Sequence, residues 1–245
     1  MSRTRIALIF LLALTLASPL AAGAQEYRIG FISAITGPAS SLGVPERDVA
    51  VMIQKELEAK GGITGPDGKK YPVKIFIHDD ESKADTTVRL VKKLIAEDKV
   101  HVVIASSQSP TSLAVVPVVT EAKMPLISMA SSHAIVTPVK ERFWVFKTPQ
   151  SNIHVSTHQV KYLKAKGYKK IASLYVNDAF GEDSRRGLAT MIKDSGIEVV
   201  YEDKFEQADK DMTPQLTKVK ASGAQALIVH AIPPSASIIT KQFRD

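Results

Sequence analysis

Short apolar runs rich in β-branched residues alternate with longer segments of helical period through the first half of the chain. The short runs predict strands at Tyr27–Ile32, Val73–His78, Val100–Ala105, Pro125–Ser128 and Phe143–Phe146. The longer segments predict helices at Val44–Lys60, Lys83–Asp98 and Pro110–Ala122. Because such alternation is typical of βαβ units, the pattern predicts a doubly wound α/β lobe with a parallel sheet.

The alternation restarts after the polar stretch Lys147–Asn152. It predicts strands at Lys170–Val176, Ile197–Tyr201 and Ala226–His230, and helices at His154–Lys166, Glu182–Ser195, Pro214–Ser222 and Pro234–Phe243. We therefore expect two lobes, residues 25–147 and residues 148–245. Parallel sheets usually have more than three strands, so we expect the second lobe to be incomplete and the chain to be part of a longer polypeptide. A small three-stranded second lobe is the alternative.

The first 24 residues have the pattern of a secretory signal peptide. Arg3 and Arg5 precede an apolar run from Ile6 to Ala17, and small residues follow at Ala22–Ala24. An uncleaved membrane anchor is less favoured, because a spanning helix needs about 20 apolar residues and this run is shorter. We expect cleavage near Ala24 and export of the mature chain to the periplasm.

Composition and charge exclude several classes of protein. Loss of Arg3 and Arg5 lowers the formal net charge from +7 to +5, with acidic residues intermixed, which is too small a bias to indicate nucleic-acid binding. A lysine cluster between Lys161 and Lys170 lacks the interleaved aromatic residues of a single-strand binder and is typical of a solvated face. The chain has no cysteine, which argues against disulfides and against a lipid anchor built on an N-terminal cysteine.

The glycine-rich stretch 61–70 does not have the spacing of a phosphate-binding loop, because it follows a predicted helix and leads into a strand. We interpret it as a turn in which Gly61 ends the helix and Asp67-Gly68 reverses the chain. The sequence also lacks the Gly-x-Ser-x-Gly motif of a nucleophile elbow.

Two groups of polar residues could suggest a metal or acid–base site. Asp79, Asp80 and Glu81 follow a predicted strand, but adjacent strand side chains point to opposite faces, so we interpret them as loop-capping groups. His154 and His158 share a helix face but lack the glutamate of a zinc-protease motif, which favours surface histidines. We expect no metal site and no cofactor, and we expect the protein not to be an enzyme.

Small polar residues follow three of the predicted strands, in the segments 36–38, 106–109 and 130–132. Ser109 is predicted to be the N-cap of the helix that continues at Pro110. Because free N–H groups and the helix dipole favour an anion there, this helix start could bind a carboxylate. Groups near Ala130 and Ser132 could accept hydrogen bonds from an ammonium group. The loops together predict a site for a zwitterion.

Several motifs occur in the order found in one family of receptors. They are Thr36-Gly37-Pro38 with Gly43, Gly61-Gly62-Ile63 with Gly65, Asp79-Asp80, Val115-Val116-Pro117-Val118, Pro125-Leu126-Ile127-Ser128 and Asn177-Asp178-x-Phe180-Gly181. In this order and spacing the chain resembles the leucine/isoleucine/valine-binding protein family, the periplasmic receptors of branched-chain amino-acid ABC transporters. The resemblance implies a type I periplasmic-binding-protein fold, two doubly wound α/β lobes with the ligand between them.

The resemblance also implies the residues of the ligand site. The carboxylate and ammonium contacts of the family fall on Ser109, Ala130 and Ser132. Phe180 replaces a tyrosine, Leu42 stands where an aromatic residue is common, and Asn152 stands where an acidic residue is common. The acidic group that balances the ammonium in the family would lie beyond Asp245.

The resemblance thus implies a receptor that binds an amino acid of branched-chain type, or a related small carboxylate, for an ABC transporter permease. We expect a monomer that does not bind nucleic acid. Two alternatives stay open: a ligand sensor or regulator of the same fold, and a receptor for aromatic acids, amides or urea.

Overall fold

The computed structural model describes residues 26–244, so the predicted signal peptide and Asp245 lie outside the described residues. We define the first lobe as residues 26–147. Its strands are β1 (Tyr27–Ser33), β2 (Ile63–Thr64), β3 (Lys70–Tyr71), β4 (Val73–Asp79), β5 (Val102–Ile104), β6 (Leu126–Ser128) and β7 (Val145–Lys147). Its helices are α1 (Ser40–Ala59), α2 (Ala84–Ala96) and α3 (Ser109–Glu121), with two short 3-10 helices at His133–Ile135 and Val139–Glu141.

Five parallel strands form the sheet of the first lobe in the order β4-β1-β5-β6-β7. This confirms the predicted parallel sheet. The strand order reverses at β1, and ligands of open α/β sheets bind beyond the carboxyl ends of the strands at such a point. The loops after β1 and β5 are therefore the places to look for a site.

The core of the first lobe lies between the sheet and the helices α2 and α3. Leu94 and Val115 are fully buried there against sheet residues such as Val103. Gly30 permits the close approach of α2, because a Cβ at that position would lie 2.6 Å from Cδ1 of Leu94. This packing fixes the strands whose carboxyl ends carry the polar loops.

The first helix begins four residues before the predicted start, at Ser40 instead of Val44. Gly43 and Pro45 are local signals against a helix interior, because glycine and proline are more common at helix ends than inside. In the structure Gly43 is needed inside the first turns, since a Cβ there would lie 2.1 Å from the carbonyl oxygen of Ala34. A tertiary contact thus overrides the local signal.

The predicted capping role of Ser109 is wrong. The third helix begins at Ser109 itself, Gln108 occupies the N-cap position, and the Gln108 side chain makes no capping hydrogen bond. The Ser109 hydroxyl instead accepts a hydrogen bond from the backbone N–H of Ser132, at 3.2 Å. The hydroxyl therefore joins two loops and does not cap its own helix.

The glycine-rich stretch forms a turn, as predicted, and also a small hairpin that was not predicted. Gly61 has φ +70° just after α1, and the N–H of Gly68 donates to the carbonyl of Gly65 at 3.0 Å. Strands β2 and β3 pair antiparallel on either side of this turn. Two residues per strand are too few for an alternating pattern to reveal them.

We define the second lobe as residues 152–244, and residues 148–151 as the crossover between the lobes. The second lobe contains α4 (Asn152–Ala165), β8 (Lys170–Val176), α5 (Ala179–Ile192), β9 (Glu198–Phe205), α6 (Thr213–Ala221), β10 (Ala226–His230) and α7 (Ser235–Arg244). Its three strands are parallel, in the order β10-β8-β9. Among residues 26–244, no helix has the length and apolar character needed to cross a bilayer.

The second predicted strand of this lobe differs most from the structure, because β9 continues four residues beyond the predicted end at Tyr201. The added residues include Glu202, Asp203 and Lys204, whose charges conceal the strand in the sequence. They pair with β8 as far as Phe205, which is buried in the core of the second lobe. Pairing with a neighbouring strand therefore decides the length of β9.

The two lobes touch each other directly. The Ser41 hydroxyl on α1 donates to the carbonyl of Pro233 in the second lobe, at 3.1 Å. The backbone N–H of His133 in the first lobe donates to Oδ2 of Asp183 on α5, at 2.9 Å. The carboxyl ends of the two sheets consequently face a common space.

Candidate functional site

A cavity of about 130 Å³ lies between the lobes. Its walls are formed by Leu42, Ser107, Gln108, Ser109, Met129, Ala130 and Ser131 of the first lobe, Pro149 of the crossover, and Asp178, Phe180 and Ile232 of the second lobe. Four residues of the predicted site, Leu42, Ser109, Ala130 and Phe180, are therefore brought together. The other two, Ser132 and Asn152, do not line the cavity but hydrogen-bond residues that do.

A wider groove of about 810 Å³ lies beside β7, but it is lined by the first lobe alone. Its walls are largely apolar and include Phe143, Trp144 and Phe146. The cavity between the lobes combines polar groups with loops at the carboxyl ends of both sheets, where ligands of α/β proteins bind. It is therefore the candidate site.

Ser109 supplies a hydrogen-bond donor to the cavity. Its hydroxyl oxygen accepts from the N–H of Ser132, which leaves the hydroxyl proton free to donate to a ligand. Ser109 is also the first residue of α3, so the backbone N–H groups of Ser109 and Thr111 have no partner within the helix, while Pro110 has no N–H group. A hydroxyl donor at a helix N-terminus is suited to an anionic oxygen, because the helix dipole adds to the attraction.

Ala130 and Ser132 belong to the loop after β6, but only Ala130 lines the cavity. The N–H of Ala130 donates to the Ser128 hydroxyl at 3.1 Å, which orients the loop. The Ser132 side chain is fully buried, and its hydroxyl accepts from the N–H of Ala134 at 3.3 Å, at the start of a 3-10 helix. In this structure Ser132 therefore caps a turn and orients Ser109.

Leu42 and Phe180 supply apolar surface from opposite lobes, Leu42 from α1 and Phe180 from α5. Asn152 is buried behind Phe180 at the start of α4. Its Nδ2 donates to the carbonyl of Phe180 at 3.3 Å and to Oδ2 of Asp183 at 2.9 Å. Asn152 thus connects the wall of the cavity to an acidic group that sequence reasoning did not identify.

Asp178 is a lining residue that sequence reasoning also missed, and it is the only charged side chain among the residues that line the cavity. Its Oδ1 caps α5 by accepting from the N–H groups of Phe180 and Gly181, at 2.8 and 3.0 Å. Burial raises the pKa of this carboxyl group, and the two backbone N–H groups oppose that shift. The signal was present in the sequence, because Asp178 follows a predicted strand and precedes a helix.

A buried carboxyl group, Asp80, and a half-buried one, Glu46, hold the loop after β5 from outside the cavity. Oδ2 of Asp80 accepts from the Ser106 hydroxyl, and Oδ1 accepts from the N–H of Ser82 at 2.9 Å. Glu46 of α1 accepts from the Ser107 hydroxyl. Burial raises the pKa of both carboxyl groups. The loop that leads to Ser109 is therefore fixed by side chains outside the cavity.

The residues that could suggest a metal or acid–base site cap a loop or lie on the surface. Asp79 accepts hydrogen bonds from the N–H and the hydroxyl of Thr36, at 3.1 and 2.7 Å, and from the N–H of Glu81 at 2.8 Å. This confirms the prediction that it caps a loop. His154 and His158 are both exposed on α4, as predicted for surface histidines.

Relatives with known names share this architecture. A protein from Brucella abortus named Leu/Ile/Val-binding protein homolog 6 is 27% identical over 234 residues, which cover 94% of this chain. The crystal structure of an extracellular ligand-binding receptor from Rhodopseudomonas palustris HaA2 is 29% identical, with a TM-score of 0.79 over 89% of this chain. The chain spans 56% of the Brucella protein and 58% of the Rhodopseudomonas receptor.

A third relative was solved with a ligand. It is the solute binding protein of an ABC transporter from Rhodopseudomonas palustris BisB5, in complex with 3,4-dihydroxybenzoic acid. It is 28% identical, with a TM-score of 0.77, and the match covers 89% of this chain and 58% of that protein.

These relatives are named as binding proteins or receptors, which agrees with the expectation that the chain is not an enzyme. The type I periplasmic-binding fold predicted from the sequence is confirmed by the solved structures. The model of the family described as periplasmic binding protein matches residues 26–245. The chain belongs to the periplasmic binding protein family, and the Leu/Ile/Val-binding relatives agree with the resemblance found in the sequence.

Proposed function

We propose that the protein is a ligand-binding receptor of an ABC import system and that it holds a small carboxylate in the cavity between its lobes. One observation carries the proposal: Ser109, which begins α3 and whose hydroxyl donates to no acceptor among the described residues, lines a cavity that both lobes enclose. Donors at a helix N-terminus bind an anionic oxygen well, because they are already oriented and the dipole is favourable.

The favoured ligand is an amino acid with an apolar side chain. An amino acid carries an ammonium group, and Asp178 provides an acidic side chain on the wall of the second lobe. Leu42 and Phe180 supply apolar surface for the side chain of the ligand. The name of the Brucella relative, a Leu/Ile/Val-binding protein homolog, points to the same class.

An aromatic acid is the second candidate. The receptor from Rhodopseudomonas palustris BisB5 was solved with 3,4-dihydroxybenzoic acid and is 28% identical to this chain. A benzoate has a carboxylate for the Ser109 end of the cavity and a ring for the apolar walls, but no ammonium group for Asp178. The two ligand classes therefore differ in whether the ligand has a group that pairs with Asp178 of the second lobe.

A thermal-shift screen of the purified protein tests both candidates. Apolar amino acids form one panel, hydroxybenzoates form the second, and amides with urea form the third. A ligand at 100 times its dissociation constant adds about 2.7 kcal/mol to the free energy of unfolding, which raises the melting temperature by several degrees. We expect the largest shift in the amino-acid panel. The absence of a shift in all three panels would exclude the proposed ligand class.

Asp178→Asn separates the two candidate ligands further. Loss of the acidic charge should weaken binding of L-leucine about tenfold or more and should leave binding of a benzoate unchanged or stronger. Isothermal titration of the variant and the wild type with both ligands measures this difference. An equal loss for both ligands would indicate a structural role for Asp178 through its cap of α5.

We further propose that the receptor is a monomer in the periplasm, that it delivers its ligand to a membrane permease, and that it does not bind nucleic acid. The expected cleavage near Ala24 is tested by the N-terminal sequence of the protein isolated from a periplasmic extract. Copurification with an ABC permease would support the import role. Ligand binding without any permease contact would favour the alternative, a sensor or regulator of the same fold.

A further inference from the structure

Asp183 lies on α5 of the second lobe, one turn beyond the cap formed by Asp178, and is 9% exposed. Its Oδ2 accepts hydrogen bonds from the N–H of His133 in the first lobe and from Nδ2 of Asn152, both at 2.9 Å. The only ion pair of this carboxylate within the described residues is with Arg186, at 3.7 Å. A nearly buried charge therefore lies at a junction between the lobes.

The first-lobe partner of Asp183 is continuous with the candidate site. His133 directly follows the loop from Ala130 to Ser132, of which Ala130 and Ser131 line the cavity. The carbonyl of Ser131 accepts from Nζ of Lys147 at 2.7 Å and from the N–H of Asn152 at 3.2 Å. The loop is thus held at Ser131 by Lys147 and Asn152, which flank the crossover, and the residue that follows it, His133, is held by Asp183.

The second-lobe partner of Asp183 is also continuous with the candidate site. Asn152 donates from the same Nδ2 to the carbonyl of Phe180, which lines the cavity from the opposite side. Asp183 is therefore bonded to the first-lobe loop directly, and to the Phe180 wall through Asn152. Asn152 has no charge, so the acidic group at this junction is Asp183 of α5.

We propose that Asp183 is a positioning residue that holds the site-bearing loop of the first lobe against the second lobe and so sets how closely the lobes approach around the ligand. This inference rests on the proposed receptor function. The geometry that carries it is the junction of His133, Asn152 and Asp183. Asp183 does not line the cavity, so its effect on binding acts through the position of the lobes.

Two variants break the junction from opposite sides. Asp183→Ala removes the acceptor, and His133→Pro removes the N–H donor. Proline fits this position, because His133 begins a 3-10 helix and Ser132 has φ −55° and ψ 135°, a conformation that suits the residue before proline. His133→Ala is the matched control, since it removes the imidazole, with its 3.3 Å contact to the Ser151 hydroxyl, and keeps the N–H; the loss of that contact is therefore common to both His133 variants.

Two further variants control for charge and shape. Asp183→Asn keeps an oxygen acceptor of the same size, so it should preserve most of the junction. Glu182→Ala removes the neighbouring acidic group, whose side chain pairs with Arg185 and makes no hydrogen bond or ion pair to the first lobe among the described residues.

The first measurement is the distance between spin labels on the two lobes without ligand. The chain has no cysteine, so labels can be placed at Lys92→Cys and Lys220→Cys, both exposed positions. We expect a longer and broader distance distribution in Asp183→Ala and His133→Pro than in the wild type. The distributions of Asp183→Asn, His133→Ala and Glu182→Ala should match the wild type.

The second measurement is the dissociation constant for L-leucine or 3,4-dihydroxybenzoate, whichever the wild type binds. Asp183→Ala and His133→Pro should raise it about tenfold or more, since each loses a hydrogen bond that involves a charged group. Unchanged label distances in both variants would overturn the proposal, and so would an equal effect of Glu182→Ala. If Asp183→Ala does not fold, the label distances and dissociation constants of His133→Pro and His133→Ala are compared instead. Equal values for these two variants would overturn the proposal.

The two proposals fail in different ways. If the wild type binds no ligand of any panel, the receptor function fails, while the label distances still test the junction. If the wild type binds a ligand and both junction variants bind it equally well with unchanged label distances, only the role of Asp183 fails.

Discussion

Ser109 and Ser132 are joined by one hydrogen bond, and their hydroxyl groups face different surroundings. The Ser109 hydroxyl has a proton free to donate into the cavity, whereas the Ser132 hydroxyl caps a turn. Ser109→Ala should therefore raise the dissociation constant of the carboxylate ligand about tenfold or more with the fold intact. Isothermal titration beside a melting curve measures both effects.

Ser132→Ala is the matched comparison. The sequence predicts that its hydroxyl contacts the ligand, in which case this variant loses affinity as Ser109→Ala does. Its place in the structure favours a loss of about 1 kcal/mol of stability with a smaller loss of affinity. Tight binding by both variants would place the carboxylate elsewhere in the cavity.

Lys147 gives the molecule a pH-dependent contribution to stability. Burial lowers the pKa of this side chain from its usual value near 10.5 to about 8, and the nearby Asp183 opposes the shift. Between about pH 8 and 10.5 the unfolded state thus binds more protons than the folded state, so stability rises with pH in this window. Below pH 8 the cost of burying the charge is fully present.

Lys147→Met tests this contribution, because the variant has no titrating group at that position. The free energy of unfolding of the wild type, relative to that of the variant, should increase between pH 7.5 and pH 10 in urea denaturation. The exposed Lys92→Met should show no such trend. If the difference in free energy of unfolding between the wild type and Lys147→Met stays constant with pH, the lysine is solvated in the folded protein.

At the scale of elements, the start of α5 depends on a glycine. A Cβ at Gly181 would lie 1.8 Å from the carbonyl oxygen of Val176 at the end of β8, so Gly181→Ala should destabilise the protein by about 3 kcal/mol or more. Gly187 on the same helix is the control, because its Cβ would meet the Ser156 hydroxyl at 3.1 Å, which can shift slightly. Thermal melts should show a large decrease for Gly181→Ala and a small change for Gly187→Ala.

The elements themselves were largely predictable, because their hydrophobic periods are set by which face is buried. All five strands of the first-lobe sheet and all seven α-helices of residues 26–244 were predicted, whereas the hairpin β2–β3 and the two 3-10 helices were not. Two boundary errors occurred where a distant contact decides the end of an element. The approach of Gly43 to Ala34 extends α1, and pairing with β8 extends β9 to Phe205. No local pattern in the sequence contains these contacts.

At the scale of the whole molecule, we predict that ligand binding brings the lobes together by rotation about the crossover near Lys147–Ser151. Closure around a ligand is the usual motion of two-lobed binding proteins. Solution scattering of the purified protein should show a smaller radius of gyration at ligand saturation than without ligand. A radius that stays the same at saturation would mean that the lobes are closed before the ligand arrives or that closure does not occur.

The contact between Ser41 and Pro233 gives a second test of this closure, because it joins α1 of the first lobe to the segment after β10 of the second lobe. Ser41→Ala removes the donor and leaves the residues that line the cavity unchanged. It should shift the unliganded protein toward a larger radius of gyration and should weaken binding by less than tenfold. An increase in affinity would show that the contact opposes the bound arrangement.

The sequence by itself determined the α/β class, the parallel sheets and the family, since these follow from hydrophobic periodicity and from motifs in a fixed order. It also indicated four residues that line the cavity, because the carboxyl ends of parallel strands meet at one edge of a sheet. Only the tertiary structure showed that Ser132 turns away from the cavity, that Asp178 faces it, and that Asp183 connects the lobes. These facts depend on the orientation of side chains across two lobes, and residues far apart in the chain carry no local signal of their contact.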